Sequence, residues 1–250
     1  MGVLEALAIA GGGVAAGAIN AMVGSGTLIT FPLLLAFGYA PVTANVSNTI
    51  GLVPGSLSGV YGYRRELEGQ RARTTRLAIA SVLGGIVGAV LLLELPAGAF
   101  KRIVPIFIGI ALVLVLVQPR LSRRLAARRA AAPEHGGPLT LAGLFACGVY
   151  GGYFGAAQGI IIVSMLGITL NERLQRINAV KNVLAMLTNL VAALIFIAVA
   201  HVAWGAAVLI AAGSIAGGQI GAHVGRRLPP LALRGVIVAV GVAAIVKLVG

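Results

Sequence analysis

Uncharged apolar runs broken by short polar or basic stretches fill the chain and divide it into ten hydrophobic elements. Five fall at 3–23, 27–39, 44–63, 74–95 and 99–118, and five at 139–154, 158–168, 176–200, 203–224 and 230–249. Most reach the roughly 20 apolar residues that a membrane-spanning helix needs. The second element of each set does not. A helix over 27–39 extends about 20 Å and one over 158–168 less, against a hydrocarbon core of about 30 Å, and Pro32 weakens the first further. The pattern therefore predicts that each set opens with a broken or re-entrant helical hairpin and continues with three ordinary spans. Irregular backbone at that depth survives only where it faces protein or a wet cavity.

The two sets also share residues. Ser81-Val-Leu-Gly-Gly-Ile-Val-Gly-Ala89 and Ser214-Ile-Ala-Gly-Gly-Gln-Ile-Gly-Ala222 follow one pattern, S-x-x-G-G-x-x-G-A, 133 residues apart. The same offset pairs Leu95-Pro96 with Leu228-Pro229, and Asn45 with Asn178. Three matches at one offset point to internal duplication, which in membrane chains is a mark of secondary transporters. Glycines four apart, at 213, 217, 221 and 225, predict helices whose backbones approach closely.

Charge supplies orientation. Of nineteen basic residues, fifteen lie in four clusters: Arg64–Arg76, Arg120–Arg129, Arg173 with Arg176, and Arg226–Arg234. If each hairpin leaves by the face it entered, all four clusters fall on one side, which the positive-inside rule makes cytoplasmic. An odd number of full spans per set then inverts the second set relative to the first. The expected fold is an all-α polytopic membrane protein of two inverted repeats, each a broken hairpin plus three transmembrane helices. Residues 1–118 and 139–250 form the repeats, and 119–138 is a basic, turn-rich cytoplasmic linker. Hydrophobic residues make up 59% of the chain and charged ones 10%, with a mean hydropathy of +1.02, which excludes a soluble globular protein. The start, Met1-Gly-Val-Leu-Glu5, lacks a basic leader, so the first run is expected to stay as a helix. The net charge of +13 sits in loops rather than along an amphipathic face, so nucleic acid is not an expected partner. The sole cysteine, Cys147, reads as a packing residue.

Polar groups in hydrocarbon are costly and mark either partners or a task. The candidate substrate-binding residues are Asn20, Ser25, Thr27, Asn45, Asn48 and Thr49 in the first set, and Gln158, Asn178, Lys181 and Asn182 in the second. Aspartate is absent, and the six glutamates, at 5, 66, 68, 94, 134 and 172, lie at ends or in loops. No buried carboxylate can bind a cation or relay protons. Amides, hydroxyls, one ammonium and helix N-termini suit an oxyanion. Two readings of Lys181 stay open: it supplies the positive charge of an anion site, or it snorkels to the cytoplasmic interface from a position early in its helix. The amides and hydroxyls can equally join helices without touching a ligand. No metal site, cofactor motif or catalytic motif is visible.

These residues carry a resemblance. Gly17-Ala-Ile-Asn-Ala-Met-Val-Gly-Ser-Gly-Thr-Leu-Ile-Thr-Phe-Pro32, Ala44-Asn-Val-Ser-Asn-Thr49, Pro54-Gly-Ser-Leu-Ser-Gly59, Tyr63-Arg-Arg-Glu66, Asn178-Ala-Val-Lys-Asn182, Asn189-Leu-Val-Ala-Ala193 and Arg226-Arg-Leu-Pro229 resemble the sulfite exporter TauE/SafE family, the TSUP permeases. The second hairpin departs from that family's pattern, with Gly155-Ala-Ala-Gln-Gly159 followed by Ser164 where the first half has Pro32. The resemblance implies a multi-pass protein of the cell membrane that moves sulfite, sulfonates or related organic anions. The expected function is a secondary transporter, an exporter, of such a small anion. The alternative is a membrane-embedded binding or assembly subunit that needs an energising partner. Expected partners are the anion and the lipid bilayer, with association of identical copies left open.

Overall fold

The computed structural model describes residues 1–127 and 137–224, with Val238 and Val242 alone beyond them. Among the described residues every regular element is helical. In chain order these are α1 (Val3–Met22), α2 (Thr27–Ala36), α3 (Pro41–Gly62), a 3₁₀ turn (Arg64–Leu67), α4 (Arg71–Glu94), α5 (Ala97–Ala127), α6 (Pro138–Tyr153), α7 (Gln158–Thr169), α8 (Leu174–Val199) and α9 (Trp204–Val224). The first nine hydrophobic elements each correspond to a helix, and the tenth, at 230–249, lies outside the described residues. Among the described residues five helices are long and apolar enough to cross a membrane: α1, α4, the 98–117 part of α5, α8 and α9. The 22 residues of α3 would also span, but asparagines, serines and threonines lower its hydropathy.

One boundary differs from expectation by more than a few residues. Helix α5 runs on to Ala127, so the first part of the expected turn-rich linker is helical. Arginine has good helix propensity, and loss of hydrophobicity marks the edge of the membrane rather than the end of a helix. Helix α1, at 20 residues, is itself long enough to span. The shortness of the first hairpin rests on α2, whose 10 residues extend about 15 Å.

Both hairpins break in the same way. The carbonyl of Ile19 accepts the N–H groups of Val23 and Gly24, and that of Tyr150 accepts those of Phe154 and Gly155. Gly24 and Gly155 have φ of +83° and +73°, the left-handed conformation that only glycine adopts without strain. The chain then folds back: Gly12 of α1 faces Leu33 of α2, and Gly143 of α6 faces Met165 of α7. The Tyr39 hydroxyl donates to Glu5 Oε1 at 2.9 Å, so the first hairpin ends beside its own start.

The repeated glycine motif makes the long-range packing. A Cβ on Gly84 or Gly88 of α4 would run into the backbone of α6 at Phe145 and Val149. One on Gly217 or Gly221 of α9 would run into the backbone of α1 at Val14 and Ala18. The middle glycines face elsewhere, Gly85 toward Thr188 of α8 and Gly218 toward Gly55 of α3. Each motif thus clamps its helix onto the opening helix of the other set. The solvent preference is inside-out. Leu4, Leu83, Ile106, Leu194 and Val208 are exposed, while Asn45, Asn48, Lys181 and Thr188 are fully buried, the distribution expected of a protein dissolved in lipid.

At one end of the bundle Glu172 holds both Arg73 and Arg176 at 3.1 Å, and Arg176 donates to the Glu68 carbonyl. Burial pushes the Glu172 carboxyl up, but the Arg173 N–H and the two guanidinium groups outweigh it and keep its pKa below the ordinary value. The basic segments 64–76 and 173–176 therefore share a face, whereas Glu5 and Tyr39 lie at the far end of α3. Single cysteines at the exposed Glu68 and His201 positions should react with a membrane-impermeant maleimide from opposite sides of right-side-out vesicles, His201→Cys from outside. Labelling of both from one side would overturn the expected topology.

Candidate functional site

Where α1 stops, its last carbonyls need donors that lipid cannot supply. Helix α8 supplies them. Lys181 Nζ donates to the carbonyls of Asn20 at 2.9 Å and Ala21 at 3.3 Å, and Asn178 and Asn182 donate their amides to Ala21 at 3.3 and 3.2 Å. The three side chains share one face because they sit three and four residues apart. The other hairpin is held in the same manner from the first set, Asn45 of α3 donating to the Tyr153 carbonyl at 3.0 Å. Asn48 bridges to α2, donating to Thr27 and accepting from Thr30, and Thr49 bonds back to the carbonyl of Asn45 in its own helix. Asn20 turns its Oδ1 onto the Gly26 N–H at 2.9 Å, closing the turn into α2.

The two hairpin tips touch. The Gly159 N–H donates to the Gly24 carbonyl at 3.1 Å, and a Cβ on either glycine would collide with the Cα of the other. Beside this contact lies a cavity of about 20 Å³, with Asn20, Thr27, Ser56, Gln158, Asn182 and Asn189 on its walls. That volume holds about one water, so in this conformation the gap beside the tips is narrow. Thr27 and Gln158 are the first residues of α2 and α7, so two helix N-termini open here, and no carboxylate lines the cavity. Gln158 is oriented by α6, its amide donating to the Cys147 carbonyl at 3.5 Å.

Of the ten candidate residues, Asn20, Thr27, Gln158 and Asn182 line this cavity. Lys181, with no exposed surface, neither reaches the basic face nor lines the cavity. Its ammonium lies one layer behind, on carbonyls of two lining residues. Asn45, Asn48 and Asn178 join helices, Thr49 bonds only within α3, and Ser25 is buried at the first tip with its hydroxyl unpartnered. Two polar lining residues were not among the candidates: Ser56 of α3 and Asn189 of α8. A signal for them existed, since they lie 133 residues apart, the repeat offset. A second, larger cavity of about 280 Å³ lies at the basic end, among Arg64, Arg65, Glu66 and His223.

With the geometry in view, the comparisons with known proteins decide the family. The model of the sulfite exporter TauE/SafE family matches residues 9–248. The chain belongs to that family. It is 27% identical over 210 residues to a probable membrane transporter protein, YfcA, of Escherichia coli K12, which covers 84% of this chain and 76% of the relative. It is equally similar over 215 residues to a probable membrane transporter protein of Haemophilus influenzae, covering 85% and 82%. A probable membrane transporter protein, ORF9, of a Sinorhizobium species matches over 236 residues at 27% identity, covering 93% and 88%. No solved structure matches the chain. This TauE/SafE member is accordingly a multi-pass membrane transporter, and its site is to be sought where its helices break.

The tip contact yields a direct test. Gly159→Ala places a methyl against Gly24 Cα and the Lys181 stem, and overpacking of that kind costs about 1–3 kcal/mol. The variant should melt several degrees lower in detergent and lose its closed resting state, which accessibility of a cysteine at Thr27 would report as faster labelling. An unchanged melting point and unchanged labelling would mean that the tips do not meet.

Proposed function

We propose that this protein is a secondary transporter, and an exporter, of a small sulfur-containing oxyanion or related organic anion, and that the cavity between the hairpin tips is where it binds. The observation that carries the proposal is the charge balance around that cavity. A helix end carries about half an elementary charge, positive at the N-terminus and negative at the C-terminus. Here the N-termini of α2 and α7 open onto the cavity opposite the C-termini of α1 and α6, and the buried Lys181 on the end of α1 tips the balance to positive. With carboxylates absent from the lining, the net potential favours an anion. Hydroxyls and amides on the walls offer the donors that oxyanion oxygens require.

The same arrangement supports an inverted relation between the sets. The interactions are reciprocal: α3 caps the end of α6 as α8 caps the end of α1, and α4 packs on α6 as α9 packs on α1. Rocking one set against the other about the closed tips is the motion that would open the cavity to each side in turn. Energetics supports export, because an inside-negative cell membrane favours anion exit by about 2.3 kcal/mol per charge per 100 mV, so no coupling ion is required. No catalytic constellation competes with this reading among the described residues.

The test is uptake by liposomes containing only this protein, offered sulfite, thiosulfate, sulfoacetate and simple carboxylates. We expect at least one sulfur oxyanion to move. An assembly subunit that needs a partner would move none. Lys181→Gln keeps a donor near Asn20 and Ala21 but removes the charge. At an effective dielectric constant of about 20, one nearby unit charge contributes about 2–3 kcal/mol, so transport should fall by about thirtyfold to a hundred-and-fiftyfold while the protein still purifies as a folded species. Transport at the wild-type rate would reduce Lys181 to a helix cap and remove the electrostatic part of the proposal.

A further inference from the structure

The polar side chains around the cavity are not equivalent. Most are already committed: Asn20 to Gly26, Thr27 to Asn48, Gln158 to Cys147, and Asn182 to Ala21. Ser56 and Asn189 are different. Among the described residues neither side chain makes a hydrogen bond, although both line the cavity and are only partly exposed. They come from corresponding positions of the two sets, on α3 and α8, and each extends a polar stripe along its helix. Asn45, Asn48 and Ser56 form one stripe, and Asn178, Asn182 and Asn189 the other, at helical spacing. Every other polar member of these stripes holds a helix end or a neighbouring helix.

A polar side chain without a protein partner, kept on the wall of a small polar cavity in an otherwise apolar interior, is available for a ligand at no cost in broken protein contacts. We propose that Ser56 and Asn189 are the substrate-selecting pair of this transporter, an inference that rests on the anion-transport reading above. Their chemistry defines the ligand class. Serine contributes one hydroxyl donor and asparagine two amide protons, none of them charged. The amino group of Lys181 is held on the α1 carbonyls. The pair therefore recognises the geometry of oxygens on a small anion by neutral hydrogen bonds. It discriminates by shape between a pyramidal oxyanion, a tetrahedral one, and one carrying an organic tail. Neutral bonds also keep binding weak enough for release, as transport requires. A site built to hydrogen-bond particular oxygens rejects a ligand that leaves its donors unpaired.

The test uses the full-length protein in liposomes with sulfite, thiosulfate and sulfoacetate as probes of the three shapes. Ser56→Ala, Asn189→Ala and the double variant should change the ratios of the three uptake rates by about tenfold, the effect of one neutral hydrogen bond. Their melting temperatures should stay near that of the wild type, because no protein hydrogen bond is lost. Ser58→Ala is the control. Ser58, on another face of α3, bonds Ile215 and Gln219 of α9, so its loss should lower the melting temperature and leave the ratios alone. Unchanged ratios in the Ser56 and Asn189 variants, or an equal fall for all three anions, would overturn the assignment while the transport reading stands. A wild-type protein that moves no anion would instead bring down the reading and the assignment together.

Discussion

A helix that stops inside a membrane protein leaves carbonyl groups that neither lipid nor water can satisfy, and the rest of this structure follows from how those ends are met. The end of α1 is met by Lys181, Asn178 and Asn182 of α8, and the end of α6 by Asn45 of α3. Each cap comes from the opposite half of the chain. Neither half can therefore close its own broken helix, and the two are interlocked at the place where both chains turn. The turns must also be small, which is why Gly24 and Gly159 meet there backbone to backbone. Once the C-terminal ends are capped, the N-termini of α2 and α7 are left facing the space between, and that space is polar and free of carboxylates.

The glycine motif is the mechanical counterpart of those caps. Glycines 84 and 88 let α4 lie directly on α6, and glycines 217 and 221 let α9 lie directly on α1. Without a hydrophobic force between helices in lipid, close backbone packing is what association depends on. The motif consequently appears twice, once for each broken helix it must hold, while Gly85 and Gly218 on a neighbouring face admit α8 and α3.

Much of this architecture is legible in the sequence, because lipid makes hydrophobic length a direct record of helix position. The nine described helices and the two short segments follow from run length alone. Helix ends outside the apolar band are less legible: α4 begins at Arg71 and α5 continues through an arginine-rich segment to Ala127, since polar residues form helix equally well beyond the membrane. The site is legible in composition but not in assignment. Amides and hydroxyls at the breaks mark the region, yet sequence does not say which of them bond to helix ends and which remain free. Lys181 has the charge expected of a site residue but lies behind the cavity wall. Ser56 and Asn189 line the cavity, and beyond their shared offset the sequence marks them only as members of the 54–59 and 189–193 motifs that resemble the family's.

The central claim is that the anion sits between the two hairpin tips. Selenite has the shape and charge of sulfite and scatters anomalously, so diffraction from crystals grown with it would locate the ion. The account predicts an anomalous peak within hydrogen-bonding reach of Asn182 and Asn189, with the Gly24–Gly159 contact loosened to admit it. A peak found only among Arg64, Arg65 and His223 at the basic end would contradict it.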